Sequence, residues 1–177
     1  MDTNRLEALS DGVFAIVMTL LVIEIKIPEI KDLSSDQLAT QLLVILPLVI
    51  SYFVSFAVLG MFWTSHHALF SLFTKNINRV MVQINMLYLS FLAFIPFSAH
   101  LLGQYPNNHT AINIYALNII CISLCGYIML KYALKSDEIQ LEELSDRTIK
   151  QARIRIILTP TFAILGIIAS YYNVPLA

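Results

Sequence analysis

A few side chains in this sequence could do chemistry where their surroundings cannot. Asp11 interrupts an apolar run, His66 and His67 follow Trp63 side by side, Asn85 sits in a third apolar run, and Arg5 precedes them all. An acid near the centre of a membrane helix costs ~2.5–3.5 kcal/mol on insertion scales, so such groups face protein or water. A place in the headgroup zone is the plainer alternative for Asp11. Arg5 and Asp11 are six residues apart, roughly 240° around a helix axis. Neighbours on a helix stand three or four apart, so each needs partners on another helix. Trp63, His66, His67 and Asn85 are the candidates for a polar cluster that pins the first helix. A metal centre fits poorly. Adjacent histidines diverge by about 100° on a helix, and no acid or cysteine stands near them at ligand spacing. There is no nucleophile–base pair and no phosphate loop, so no enzyme is expected, and no cofactor. Cys121 and Cys125 are one helical turn apart and read as packing residues, not a disulfide framework. His100 and His109 read as interfacial, and Asn108-His109-Thr110 as a chance sequon.

The elements that position these groups follow from where charge is missing. The chain has 177 residues, 58% hydrophobic and 13% charged, against ~25% charged in soluble domains. That excludes disorder, and a net charge of −1 without a basic face excludes a nucleic-acid partner. Asp36 and Lys75 bracket 38 uncharged residues, Arg79 and Lys131 bracket 51, and the 22 residues after Arg155 carry no charge. A spanning helix needs ~20 mostly apolar residues, and only helices satisfy a single segment's backbone in lipid. The chain therefore predicts an all-α, polytopic membrane bundle in one unit over 1–177. Five spans are visible: Leu6 to Ile27, ended by Pro28; Leu42 to Trp63, running on as helix to Phe73; Val80 to Leu102; Ala111 to Leu134; and Ile154 to Tyr172. The turn Gly103-Gln104-Tyr105-Pro106-Asn107-Asn108 separates the third and fourth. Asp2, Glu7 and Asp11 argue against a cleavable leader. With the N-terminus in the cytoplasm, nine Lys and Arg fall inside and only Lys26 and Lys31 outside, which fixes the expected orientation in a cell membrane. The mixed-charge stretch 131–155 reads as a cytoplasmic helix–loop. The end, Tyr172 to Ala177, reads as a turn into a further apolar segment, so a sixth helix is possible.

On the first helix, Ile16, Leu20, Ile23 and Ile27 fall within roughly 60° of one another, with Thr19 flanking and Asp11 about 140° away from Ile16. Periodicity alone is equally that of a packing or lipid-facing stripe.

The run Arg5-Leu6-Glu7-Ala8-Leu9-Ser10-Asp11-Gly12 resembles the Arg-x-x-x-Phe-Ser-Asp motif that opens the first helix in the bacterial branch of the transmembrane protein 175 potassium-channel family. Phe62-Trp63-Thr64-Ser65-His66-His67, Asn85-Met86-Leu87 and Phe91-Leu92-Ala93-Phe94-Ile95-Pro96-Phe97 are similar to the family on the second and third helices. Leu9 departs from the motif's Phe, and five spans depart from the family's six. The resemblance implies a homotetramer around a central pore lined by the first helix, with no glycine-carbonyl filter. It maps the pore constriction to Ile16, Leu20 and Ile23 and potassium preference to Thr19; the anchoring network, expected from the residues themselves, is Arg5, Ser10, Asp11, Trp63, His66, His67 and Asn85. Rings at these positions would lie about 6 Å and 10.5 Å beyond Ile16 and gate by dewetting. Glu24 near the outer mouth would concentrate cations, or is a plain interfacial acid. The expected function is a passive, potassium-preferring cation channel, with potassium the permeant ion and the bilayer its surroundings. A proton-coupled secondary transporter using Asp11, His66 and His67 is the alternative. The missing inverted repeat counts against it. A structural membrane protein without transport is the third reading.

Overall fold

The computed structural model describes residues 3–26, 34–70, 77–136 and single positions between 150 and 171. It is all helical among those residues: α1 Thr3–Ile23, α2 Ser35–Val44, α3 Leu46–Phe70, α4 Arg79–Ala93, α5 Ile95–Gln104 and α6 His109–Lys135. Four helices are long and apolar enough to cross a membrane: α1, α3, α4 continued by α5, and α6. Most of the span expected over Ile154 to Tyr172, Ile27 and Pro28, Phe73, the loop beyond Ser136 and the terminal segment lie outside the described residues.

The helix starts are set by short polar side chains. Ser34 caps α2 in a capping box with Gln37. The Asn78 side chain accepts from the Met81 amide at the start of α4, and that of Asn108 from the Thr110 and Ala111 amides at the start of α6. Each satisfies amides that a helix start leaves without partners. The turn expected at 103–108 starts later than expected: Gly103 and Gln104 still belong to α5, and the chain turns between Tyr105 and the Asn108 cap.

Two expected spans are not continuous. The second breaks at Ile45 and the third at Phe94, each two residues before a proline, Pro47 and Pro96. Proline has no N–H to give to the carbonyl four residues back and its ring crowds that carbonyl. The ladder resumes at once on either side, with Ile45 N donating to Gln41 O at 3.2 Å and Val49 N to Ile45 O at 3.1 Å, and with Ser98 N donating to Phe94 O at 3.2 Å. The first helix also ends earlier than expected, at Ile23 and not at Pro28.

α1 packs against α3, α4 and α5; α6 packs against α4 and α5; and α3 runs along α5. The core takes Leu6, Phe14, Val17 and Leu21 from α1, Leu59 and Phe62 from α3, Met81, Tyr88 and Leu92 from α4, and Ile122 and Met129 from α6. α3 and α5 approach closely at Gly103, where a Cβ would stand 2.7 Å from the Leu48 Cα. Beside it, Ser51 Oγ donates to Ala99 O at 2.7 Å.

Candidate functional site

The buried residues of α1 are Thr3, Leu6, Ser10, Phe14, Val17 and Leu21. Their spacing of three and four makes one packing face, so every other position of the helix has a defined direction. Three polar connections leave that face or its edge.

The innermost connection runs through Asn85, which is fully buried on α4. Ser10 Oγ donates to Leu6 O at 2.9 Å and accepts from Asn85 Nδ2 at 3.1 Å. Asn85 Oδ1 lies 2.8 Å from His66 Nε2. Because the amide oxygen can only accept, the His66 proton sits on Nε2. The His66 ring is held between aromatics, stacked on Phe70 at 4.3 Å and on Tyr88 at 5.3 Å, with the edge of Phe14 at 5.8 Å. One residue each from α1, α3 and α4 is thereby joined without an unpaired group between them.

The other two connections lie at the surface of the subunit. Trp63 Nε1 donates to Asp11 Oδ1 at 2.9 Å. His67 Nδ1 lies 3.0 Å from Glu7 Oε1, and its ring stacks on Trp63. Glu7 and Asp11 are one turn apart, as are Trp63 and His67, so two rungs join α1 to α3. The two histidines divide as their angular separation requires: His66 is buried and His67 is half exposed.

Ser10, Asp11, Trp63, His66, His67 and Asn85 are therefore brought together by the fold. Arg5 is not. It is exposed and forms no hydrogen bond or ion pair among the described residues. Its place around the axis is the reason, for it falls opposite the packing face. Glu7 and Phe14 join the cluster although neither was expected there. The one-turn spacing from Asp11 was the available signal for Glu7. Phe14 reads in sequence as one more apolar residue.

Opposite the packing face stand Ile16, Leu20 and Ile23, exposed by 59%, 42% and 60%, with Thr19 beside them. No described part of the chain covers them. Thr19 Oγ1 donates to Ile16 O at 2.8 Å. Its hydrogen is thus used within the helix, while its oxygen lone pairs face outward and can accept or coordinate.

At the other end of α1, His100 of α5 stands beside Glu24. His100 Nδ1 is 3.2 Å from the Glu24 carbonyl oxygen and 3.4 Å from Oε2. The carbonyl is one that the helix end leaves without an intrahelical donor. Glu24 therefore leans toward α5. His109 stacks on Tyr171 at 4.9 Å. Cys121 and Cys125 are free thiols, and no group of three or more His, Cys, Asp or Glu among the described residues could hold a metal.

A family model described as endosomal/lysosomal potassium channel TMEM175 matches residues 5–96. A potassium channel of Chamaesiphon minutus is 36% identical over 149 residues, which cover 82% of this chain and 72% of that one. The human endosomal/lysosomal proton channel TMEM175 is 39% identical over 102 residues, 54% of this chain and 20% of the human one. The crystal structure of a lysosomal potassium-selective channel TMEM175 homolog from Chamaesiphon minutus superposes with a TM-score of 0.81 at 30% identity, covering 97% of this chain and 87% of that one.

Proposed function

The chain belongs to the endosomal/lysosomal potassium channel TMEM175 family, an ion-channel family of the membrane and not an enzyme family, and from that premise we propose that it forms a homotetrameric, potassium-preferring cation channel. In this reading α1 of each subunit faces a shared axis, and Ile16, Leu20 and Ile23 form successive apolar collars. One observation carries it. The same helix that commits Ser10, Asp11 and Glu7 to α3 and α4 leaves Ile16, Leu20 and Ile23 facing away from its own chain. A ring of Ile side chains is a barrier because water leaves a narrow apolar neck. Conduction follows when the neck widens enough to rewet, so an ion passes with most of its hydration. Selectivity is then modest, and the Thr19 oxygens next to the Ile16 collar are the available coordinating groups. The N-terminus faces the cytoplasm and the protein lies in the cell membrane, as the distribution of Lys and Arg favours.

The carrier reading draws less support. Asp11 is bonded to Trp63, His66 to Asn85 and His67 to Glu7, so the three side chains serve three separate connections and form no continuous relay.

Reconstitution into proteoliposomes separates the readings. A channel gives electrogenic flux that reverses near the potassium equilibrium potential. A carrier ties flux to a second ion, and a structural protein gives none. Ile16→Asn is expected to raise the resting leak and to move the reversal potential toward that of a non-selective cation pathway. Unaltered currents and reversal potential in Ile16→Asn would remove Ile16 from the conduction path.

A further inference from the structure

The outward face of α6, away from α4 and α5, has a graded chemistry that the channel reading does not use. Ile120, Leu124, Tyr127, Lys131 and Lys135 follow one another at spacings of three and four, within about 80° around the axis. The upper part is one wall of a cleft of about 420 Å³ whose far side includes Pro160 and Ile164, a size within the ~300–1,000 Å³ of ordinary ligand sites. Leu124 and Ile164 line it with exposed apolar surface. The lower part is a second concavity that shares Tyr127 and is lined by Lys131 and Lys135. Both lysines are exposed and form no ion pair among the described residues. Leu124 and Lys135 are separated by about 16 Å along the helix.

We infer that this continuous groove on α6 binds an anionic phospholipid of the inner leaflet, its phosphate held by Lys131 and Lys135 and an acyl chain lying along Leu124 and Ile164. The order of the groups matches the order in the lipid: cations at the end of the span, the Tyr127 phenol at the junction, hydrocarbon further in. Basic pockets beside membrane helices on the cytoplasmic side favour such headgroups. Charge decides against a neighbouring protein helix as the occupant, because an apolar helix laid along this face would bury two lysines without counter-ions. The inner-leaflet assignment rests on the orientation proposed above, whereas the lipid chemistry does not.

The test is retention of lipid by the full chain. The protein is purified with equimolar phosphatidylglycerol and phosphatidylcholine, and bound lipid per subunit is read by native mass spectrometry. At least one phosphatidylglycerol per subunit is expected, several-fold over phosphatidylcholine. The double variant Lys131→Gln, Lys135→Gln should bring that ratio close to one with oligomer mass and thermal midpoint unchanged. Leu124→Trp, which fills the apolar part, should lower retention of both lipids. A ratio near one in the unsubstituted protein, or a ratio indifferent to the double variant, overturns the proposal. So does disulfide cross-linking of Leu124→Cys to a neighbouring subunit, which would make the groove a protein contact. None of these readouts depends on ion flux, so failure as a channel and failure as a lipid site are separate results. Ser136→Cys, in a background free of Cys121 and Cys125, tests the leaflet. Labelling by an impermeant maleimide from the cytoplasmic side is expected, and labelling from outside refutes the inner-leaflet assignment.

Discussion

Asn85 is the residue through which three helices agree on their positions. Its amide gives one hydrogen to Ser10 and accepts one from His66, and replacing it with Leu leaves the His66 N–H buried without an acceptor. An unsatisfied buried group costs roughly 1–3 kcal/mol. Interhelical bonds in membranes average nearer ~0.6 kcal/mol and reach ~1.7. Asn85→Leu is therefore expected to lose about 1–2 kcal/mol, read as a lower thermal midpoint and a smaller oligomeric fraction in detergent. Ser90→Ala is the control, since that hydroxyl only returns to Leu87 O on an exposed face and its loss should change little. Much of this cluster was legible in the sequence, because polar residues within apolar runs at one membrane depth have few partners available to them. The 100° between His66 and His67 argues only against a shared metal ion; that one is buried and the other half exposed is given by the fold. What sequence could not give was the exclusion of Arg5 or the inclusion of Phe14. Charge suggested a partner for Arg5, but rotation around the axis places it away from every described helix, and an aromatic edge against a histidine leaves no trace in periodicity.

At the scale of elements, the small residue at the α3–α5 crossing matters most. The Cβ introduced by Gly103→Ala would meet the Leu48 Cα and Cδ1 at 2.7 Å and the Ser51 Cβ at 3.2 Å. A backbone atom cannot rotate away, so α5 must shift as a body. That shift would also stretch the Ser51–Ala99 bond. Overpacking of this kind costs about 1–3 kcal/mol, and Gly103→Ala should show it as a depressed thermal midpoint, whereas no change would mean that the two helices are free to separate. Four of the five expected spans match helices long enough to cross a membrane and are readable from the gaps between charges, yet the breaks at Ile45 and Phe94 fall where the sequence reads as continuous helix. Proline 47 and proline 96 were visible in the sequence. In a membrane helix, however, a proline can either be absorbed as a bend or end the element, and only the neighbouring helices decide which. The early end of α1 has a similar origin, because the partner of the Glu24 carbonyl is His100, 76 positions further along.

For the whole molecule, the family relationship and the fold agree on a membrane channel protein whose first helix has one committed face and one open face. Gly12 lies on the open side, where a Cβ would have nothing within 4 Å. Gly12→Ala should leave the subunit as stable or slightly more so, since alanine favours a helix over glycine by ~0.8–1.0 kcal/mol. Gly12→Phe would crowd the space one turn below Ile16 if four copies meet there. The expected outcome is a reduced unitary conductance with an unaltered thermal midpoint, and an unaltered conductance would place that face toward lipid. The number of subunits left no mark in the sequence, since a stripe of isoleucine and leucine looks the same against lipid, a neighbour or water. The three ties at the N-terminal end of α1 also limit how any passage beside it could open. Swivelling the helix about its own long axis would tear Ser10 from Asn85 and Asp11 from Trp63 together, so a neck built as proposed above would have to dilate like an iris, by tilting of whole protomers or by flipping of isoleucine rotamers, with the rod itself held against turning.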